Sequence, residues 1–163
     1  KSTLAKALVD RLLDDGQRTV SLLDGDEVRR LLSSGLGFSR SDRDLNIRRI
    51  GFVAAEIARH GGTAVCAPIA PFAGVRQEVR EMTSRTGDFL LIHVCTPLAE
   101  CERRDRKGLY AKARKGLIGE FTGISSPYEE PQDADLCLDT STLSVSEAVD
   151  LIWELLIVRG YLV

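Results

Sequence analysis

Short apolar runs alternate with amphipathic stretches along the whole chain, and this alternation constrains the fold more than any other feature. Thr19–Leu23, Thr63–Ala67, Phe89–Val94 and Leu136–Leu138 read as strands, with Phe89–Val94 the clearest buried one. Helices are predicted over Ser2–Asp15, Glu27–Ser33, Arg43–His60, Gly74–Ser84, Pro97–Arg104, Tyr110–Lys115 and Val145–Val158. In the first of these, Leu4, Ala5, Leu8, Leu12 and Leu13 recur at helical spacing, and Gly16 supplies the stop. The pattern predicts an α/β sandwich with a mainly parallel sheet, and 163 residues, 44% of them apolar, suit one domain spanning 1–163. In such sheets ligands bind beyond the carboxyl ends of the strands. The polar residues to weigh are therefore Asp24-Gly25-Asp26, the loop from Pro68 to Pro71, and the basic stretch after Val94.

Lysine and arginine number 22 against 24 acidic residues, so there is no general positive field for nucleic acid, and any anion must be met by a local basic cluster. Cys66, Cys95, Cys101 and Cys137 form no CxxC pair and no Cys/His grouping at metal-ligand spacing, which argues against zinc. Cys66, Cys95 and Cys137 lie in or beside apolar runs and read as small packed hydrophobes. Reduced cysteines, the lack of any run near the roughly 20 apolar residues that span a bilayer, and the lack of a signal-peptide core predict a soluble cytoplasmic protein with no membrane partner. The first residues enter a helix with neither cap nor strand before them, so further sequence is expected upstream of Lys1.

Lys1-Ser2-Thr3 at the head of a helix matches the second half of the GxxxxGK[ST] loop. In that loop the lysine reaches the β- and γ-phosphates and the next hydroxyl holds Mg²⁺. The tripeptide alone is common; its place before a helix, a strand and Asp24-Gly25-Asp26 gives it weight. Two carboxylates at a strand end can orient Mg²⁺ and accept a hydroxyl proton, with Arg29 available to an anionic substrate. The same residues also read as a capping Asp before a solvated helix face.

Arg43 and Asn46, three apart, are predicted to share one exposed helix face and could hold a phosphate or sulfate together with a base edge. Phe38, on a Gly-flanked loop, reads as a stacking surface or as the anchor of its own loop. Asp105 to Gly116 carries five basic residues between or near glycines and reads as a lid over charge or as a solvated helix face. Phe121 lies just beyond it, as a second aromatic that could face Phe38 across a purine. His60 and His93 read as structural.

In order and spacing these stretches resemble adenylylsulfate kinases. The matching elements are K-S-T, L-D-G-D-E-V-R, L-G-F-S, D-R-D-L-N-I-R-R-I-G, A-P-I-A-P-F, C-E-R-R-D-R-K-G-L-Y-A-K-A-R and F-T-G-I-S-S-P-Y-E-E-P, which cover residues 1 to about 140. The resemblance implies a P-loop NTPase-like three-layer sandwich with a basic lid. It also implies MgATP-dependent phosphorylation of the 3′-hydroxyl of adenosine 5′-phosphosulfate (APS). Lys1 and Asp26 would be catalytic, and Lys1, Ser2, Thr3, Asp24, Arg104 and Ser144 would serve MgATP, with Ser2 on the metal. Asp26, Arg29, Phe38, Arg43, Asn46, Ile69, Lys107, Gly108 and Phe121 would hold APS, the two phenylalanines sandwiching its adenine. The loop near Thr140–Val145 would touch the ATP base. A homodimer and a fused or associated ATP sulfurylase domain are the implied protein partners.

Three departures from the family pattern matter. The first strand and the glycine half of the phosphate loop are absent from the sequence and are expected to precede it. Ala70 stands where many members have serine, which excludes a phosphoserine there and favours direct transfer between the substrates. The A-P-I-A-P segment resembles the version fused to ATP sulfurylase, which includes non-catalytic regulators that bind nucleotide. A regulatory domain is thus the alternative, and the retained Lys1-Ser2, Asp24-Gly25-Asp26 and full basic segment argue against it.

Overall fold

Gly16 ends the first helix as an α-carbon without a side chain allows: its φ is 72°, and its N–H donates to Leu13 O. The computed structural model describes residues 1–163. Its elements run α1 (Ser2–Asp15), β1 (Val20–Leu23), α2 (Gly25–Leu31), α3 (Arg40–Arg59), β2 (Thr63–Cys66), α4 (Ala73–Thr83), β3 (Ile92–Val94), α5 (Leu98–Arg104), α6 (Leu109–Arg114), β4 (Leu136–Leu138) and α7 (Val145–Val158).

All the strand pairing is parallel, as the strand–helix alternation predicts, but it forms two sheets of two strands instead of one continuous sheet. β1 pairs with β2 from Val20↔Thr63 to Leu23↔Cys66, and β3 pairs with β4 from Ile92↔Leu136 to Val94↔Leu138. Side-chain packing joins the two pairs where a shared ladder does not. Leu4, Leu8 and Leu12 of α1 and Ala148, Val149 and Ile152 of α7 build one core with Leu138, and Val20, Val65, Ile92, Val94 and Leu136 all pack against it. A second core of Val28, Ile47, Ile50, Phe72 and Val75 binds α2, α3 and α4.

Side-chain caps set the helix starts and move two predicted boundaries. Asp24 Oδ1 accepts from Asp26 N, so α2 begins at Gly25 instead of Glu27. Ser39 Oγ accepts from Asp42 N, so α3 begins at Arg40 instead of Arg43. Ser144 and Glu147 form a capping box that starts α7 at the predicted residue.

The strand predicted over Phe89–Val94 shortens to Ile92–Val94, because the Leu91 N–H is taken by Asp135 Oδ2 instead of a ladder partner. Cys66 and Cys137 are exposed rather than packed. Strand alternation explains Cys137: its neighbours Leu136 and Leu138 face the core, which turns it to the other side. No helix is long and apolar enough to cross a membrane.

Candidate active site

The end of β1 and the start of α1 meet at one point, and the groups singled out at both places converge there. Lys1 caps α1 and is open to solvent, yet enough protein surrounds its ammonium that desolvation holds it below its ordinary value, with Lys107 adding repulsion. Asp24 and Asp26 pull in the opposite direction, which places both carboxylates within electrostatic reach of Lys1.

The Ser2 hydroxyl is the main cause that keeps the Asp24 carboxyl below the usual carboxylate range; the Asp26 N–H and Lys107 act in the same sense, against desolvation. The second Asp24 oxygen, Oδ2, is buried without a partner. A hydroxyl beside a partnerless carboxylate oxygen is a donor set suited to a hard, oxygen-seeking divalent cation. Asp24 therefore caps α2 through one oxygen and leaves the other without a protein partner. An open cleft of about 340 Å³ adjoins it, lined by Lys6, Leu22, Asp24, Asp26, Glu27 and Arg30. The turn lies against the loop after β2: a Cβ on Gly25 would sit 3.4 Å from Pro68 Cα, in ordinary van der Waals contact.

Arg104, Arg106 and Lys107 make contacts with three different places: the loop after β4, α1 and the end of β1. Lys107 forms an ion pair with Asp26. Arg106 Nη1 donates to Thr3 Oγ1 at 3.3 Å, and Arg104 donates to Thr140 Oγ1 at 3.0 Å and to Thr140 O at 2.6 Å. Glu100 accepts from both Arg103 and Arg104, which hold its carboxyl down at about 2. Gly108 adopts a φ of 65° between α5 and α6, and the Asp105 carboxylate accepts from Tyr110 N and Ala111 N to start α6. Ser144, at the far side, spends its hydroxyl on the Glu147 N–H as the cap of α7.

On the opposite flank the structure corrects the expected exposure of Arg43 and Asn46: only 8% and 5% of their surfaces are accessible. The loops before and beyond them close over this face of α3. Arg43 Nε donates to Phe38 O at 2.8 Å, and its Nη1 donates to Thr122 Oγ1, which joins the Gly37–Ser39 loop to the segment beyond α6. Asn46 Oδ1 is buried without a partner. Phe38 remains exposed, with the Arg29 guanidinium 4.4 Å above its ring, while Arg29 also donates to Gly37 O. Phe121 stands edge-on to Tyr110 at 5.0 Å, so in this state each phenylalanine has a protein partner. Ile69 is exposed next to Pro68.

Sequence reasoning passed over Lys6, Thr122 and Arg76. Lys6 carried a usable signal, since it lies four residues after Ser2 on the same helix face. The others are tied to the site only through long-range contacts, which no local pattern displays.

The fold and the strand-end arrangement define a phosphate-loop type of α/β protein. Residues 1–139 match the family model described as Adenylylsulphate kinase, and the chain belongs to that family. The solved structure of the APS kinase of Mycobacterium tuberculosis, in complex with AMPPNP and APS, is 41% identical and superposes with a TM-score of 0.91 over 96% of this chain and 90% of that one. The hexameric APS kinase of Thiobacillus denitrificans is 44% identical, with a TM-score of 0.77 over 99% of this chain and 27% of that one. Among curated relatives, a sulfate adenylyltransferase of Phaeosphaeria nodorum is 53% identical over 162 residues and one of Neurospora crassa is 49% identical over 162 residues. This chain spans 28% of the length of each of these two relatives.

Proposed function

We propose that the chain is an ATP-dependent kinase domain that phosphorylates the ribose 3′-hydroxyl of APS, giving 3′-phosphoadenosine 5′-phosphosulfate and ADP. The observation that carries this reading is the convergence of Lys1, the Ser2–Asp24 pair and the Asp26–Lys107 pair at the end of β1. Lys1 neutralises the β- and γ-phosphates of ATP, Thr3 and Arg104 hold the donor nucleotide in place, and Ser144 lies by its base. Ser2 would hold Mg²⁺ with Asp24 orienting it, and the ion would supply charge neutralisation to the triphosphate. Asp26 accepts the proton of the attacking 3′-hydroxyl once Lys107 turns from it to the acceptor.

The acceptor lies against α3. Arg29 and Lys107 meet its phosphosulfate, Arg43 and Asn46 hold it from the buried face, and Gly108 lets the lid backbone close. Its adenine takes the place of the Arg29 guanidinium on Phe38, with Phe121 and Ile69 completing the pocket. With alanine at position 70, transfer is direct from donor to acceptor.

The chain acts as one domain of a cytoplasmic protein, joined to or associated with an ATP sulfurylase domain, and assembles as a homodimer. The relatives' name and the 28% span support the sulfurylase association. A coupled assay of ADP release by the full-length protein tests the activity. Release that requires both APS and Mg²⁺ is expected. Nucleotide binding without release would overturn the kinase reading in favour of a regulatory domain.

A further inference from the structure

Arg76, on α4, is 8% exposed, and its guanidinium is spent on two main-chain carbonyls instead of a carboxylate. Nη1 donates to Ala70 O at 2.8 Å and Nη2 donates to Glu129 O at 2.7 Å. Burying a guanidinium is costly unless its donors are filled, and here the filling groups come from two loops far apart in the chain. The same two loops are stitched again around Arg76. Glu129 N donates to Pro71 O at 2.8 Å, and the Glu129 carboxylate accepts from Ala73 N at 2.6 Å. That carboxylate caps α4, whose own N-cap residue, Phe72, has no side chain able to do so.

Ala70 is the strained member of this arrangement. Its φ is 44°, in the left-handed region that side chains disfavour, and it precedes Pro71, which disfavours helical conformations at the residue before it. A backbone held there needs an outside contact to hold it, and the Arg76 bond to the Ala70 carbonyl is that contact. At its other end the loop is held by the Ala67 N–H bond to Leu23 O at 3.0 Å, and Pro68 lies against Gly25, between Asp24 and Asp26. Ile69 lies between these two attachments.

We infer that Arg76 is a positioning residue: by holding the Ala70 carbonyl it fixes loop 67–71, and with it the placement of Ile69 and of the Asp24-Gly25-Asp26 turn toward the acceptor nucleotide. The kinetic half of this inference rests on the proposed APS kinase activity; the structural half does not.

The test uses the full-length protein with Arg76→Ala, Arg76→Lys and, as a control, Arg80→Ala. Arg80 lies one helical turn on and binds Asp133 at 3.1 Å, so its loss weakens the same helix without releasing the Ala70 carbonyl. Arg76→Ala is expected to raise the KM for APS roughly tenfold, the worth of one charge-assisted hydrogen bond, with the KM for ATP moved much less. Arg76→Lys should fall between wild type and Arg76→Ala. Arg80→Ala should lower the Tm and leave the KM for APS unchanged. Hydrogen exchange at the amides of Ala67, Ile69, Ala70 and Phe72, measured without substrate, should accelerate in both Arg76 variants and not in Arg80→Ala. Wild-type exchange in a folded Arg76→Lys, or equal KM shifts for APS and ATP, would overturn the inference. If the wild-type protein fails to turn over APS, the function is refuted, while the exchange result still decides whether Arg76 holds the loop.

Discussion

Lys107, from the segment between α5 and α6, is ion-paired with Asp26 at the end of β1, so the basic segment is already closed onto the strand end. The two side chains are 58% and 74% exposed, and ion pairs so open to water contribute little to stability. An anionic substrate can therefore take Lys107 from Asp26 at low cost.

If Asp26 accepts the hydroxyl proton, Asp26→Asn should lower kcat roughly 10²-fold or more, with KM values changed less, because the loss is confined to the transition state. Steady-state kinetics on the variant check this. Turnover near that of the wild type would remove Asp26 from the chemistry.

Direct transfer predicts an unlabelled protein. Incubation with γ-labelled ATP alone, followed by denaturing separation, should show no stoichiometric phosphate on the chain, since Ala70 offers no hydroxyl. A phosphoprotein competent to pass its label to APS would refute direct displacement.

Phe38→Ala should weaken APS by about 1–3 kcal/mol, the range of base–aromatic stacking, with little effect on a non-hydrolysable ATP analogue. Arg43→Ala should also weaken APS selectively, by about 1.5–3 kcal/mol. The Arg43 variant should lower the Tm as well, because it frees the Phe38 carbonyl and the Thr122 hydroxyl, whereas the exposed Phe38 should not. Calorimetric titration of each ligand and thermal melts separate these effects. Equal weakening of both nucleotides would contradict the assignment of this face to the acceptor.

Glu100 supplies a pH signature. Its carboxyl is held at about 2 by Arg103 and Arg104, against an unfolded value of 4.5. A depressed carboxylate contributes stability that is fully present above its unfolded value and is lost as pH falls toward the folded one. The Tm of the wild-type protein should therefore fall more steeply between pH 5 and pH 2 than that of Glu100→Gln. Parallel Tm profiles for the two proteins would show that the pair adds nothing to folding.

The local pattern of the sequence determined a great deal. Helical spacing and Gly16 placed α1, β4 was bounded correctly, and amphipathic spacing bounded α7, because each depends on residues within one or two turns of one another. The Lys-Ser-Thr tripeptide, the Asp-Gly-Asp turn and the basic segment were legible for the same reason: each is a contiguous motif whose chemistry follows from its residue types.

What only the tertiary structure decided are the relations between such segments. The burial of Arg43 and Asn46, the Arg29 guanidinium over Phe38, the split of the strands into two pairs and the hold of Arg76 on Ala70 all depend on contacts between residues distant in the chain or on the loops that cover a face. Periodicity reports which face of an element is apolar, not which loop will fold over it. A buried arginine facing carbonyls looks in sequence like any arginine on an amphipathic helix, because its partners are backbone groups that every residue carries.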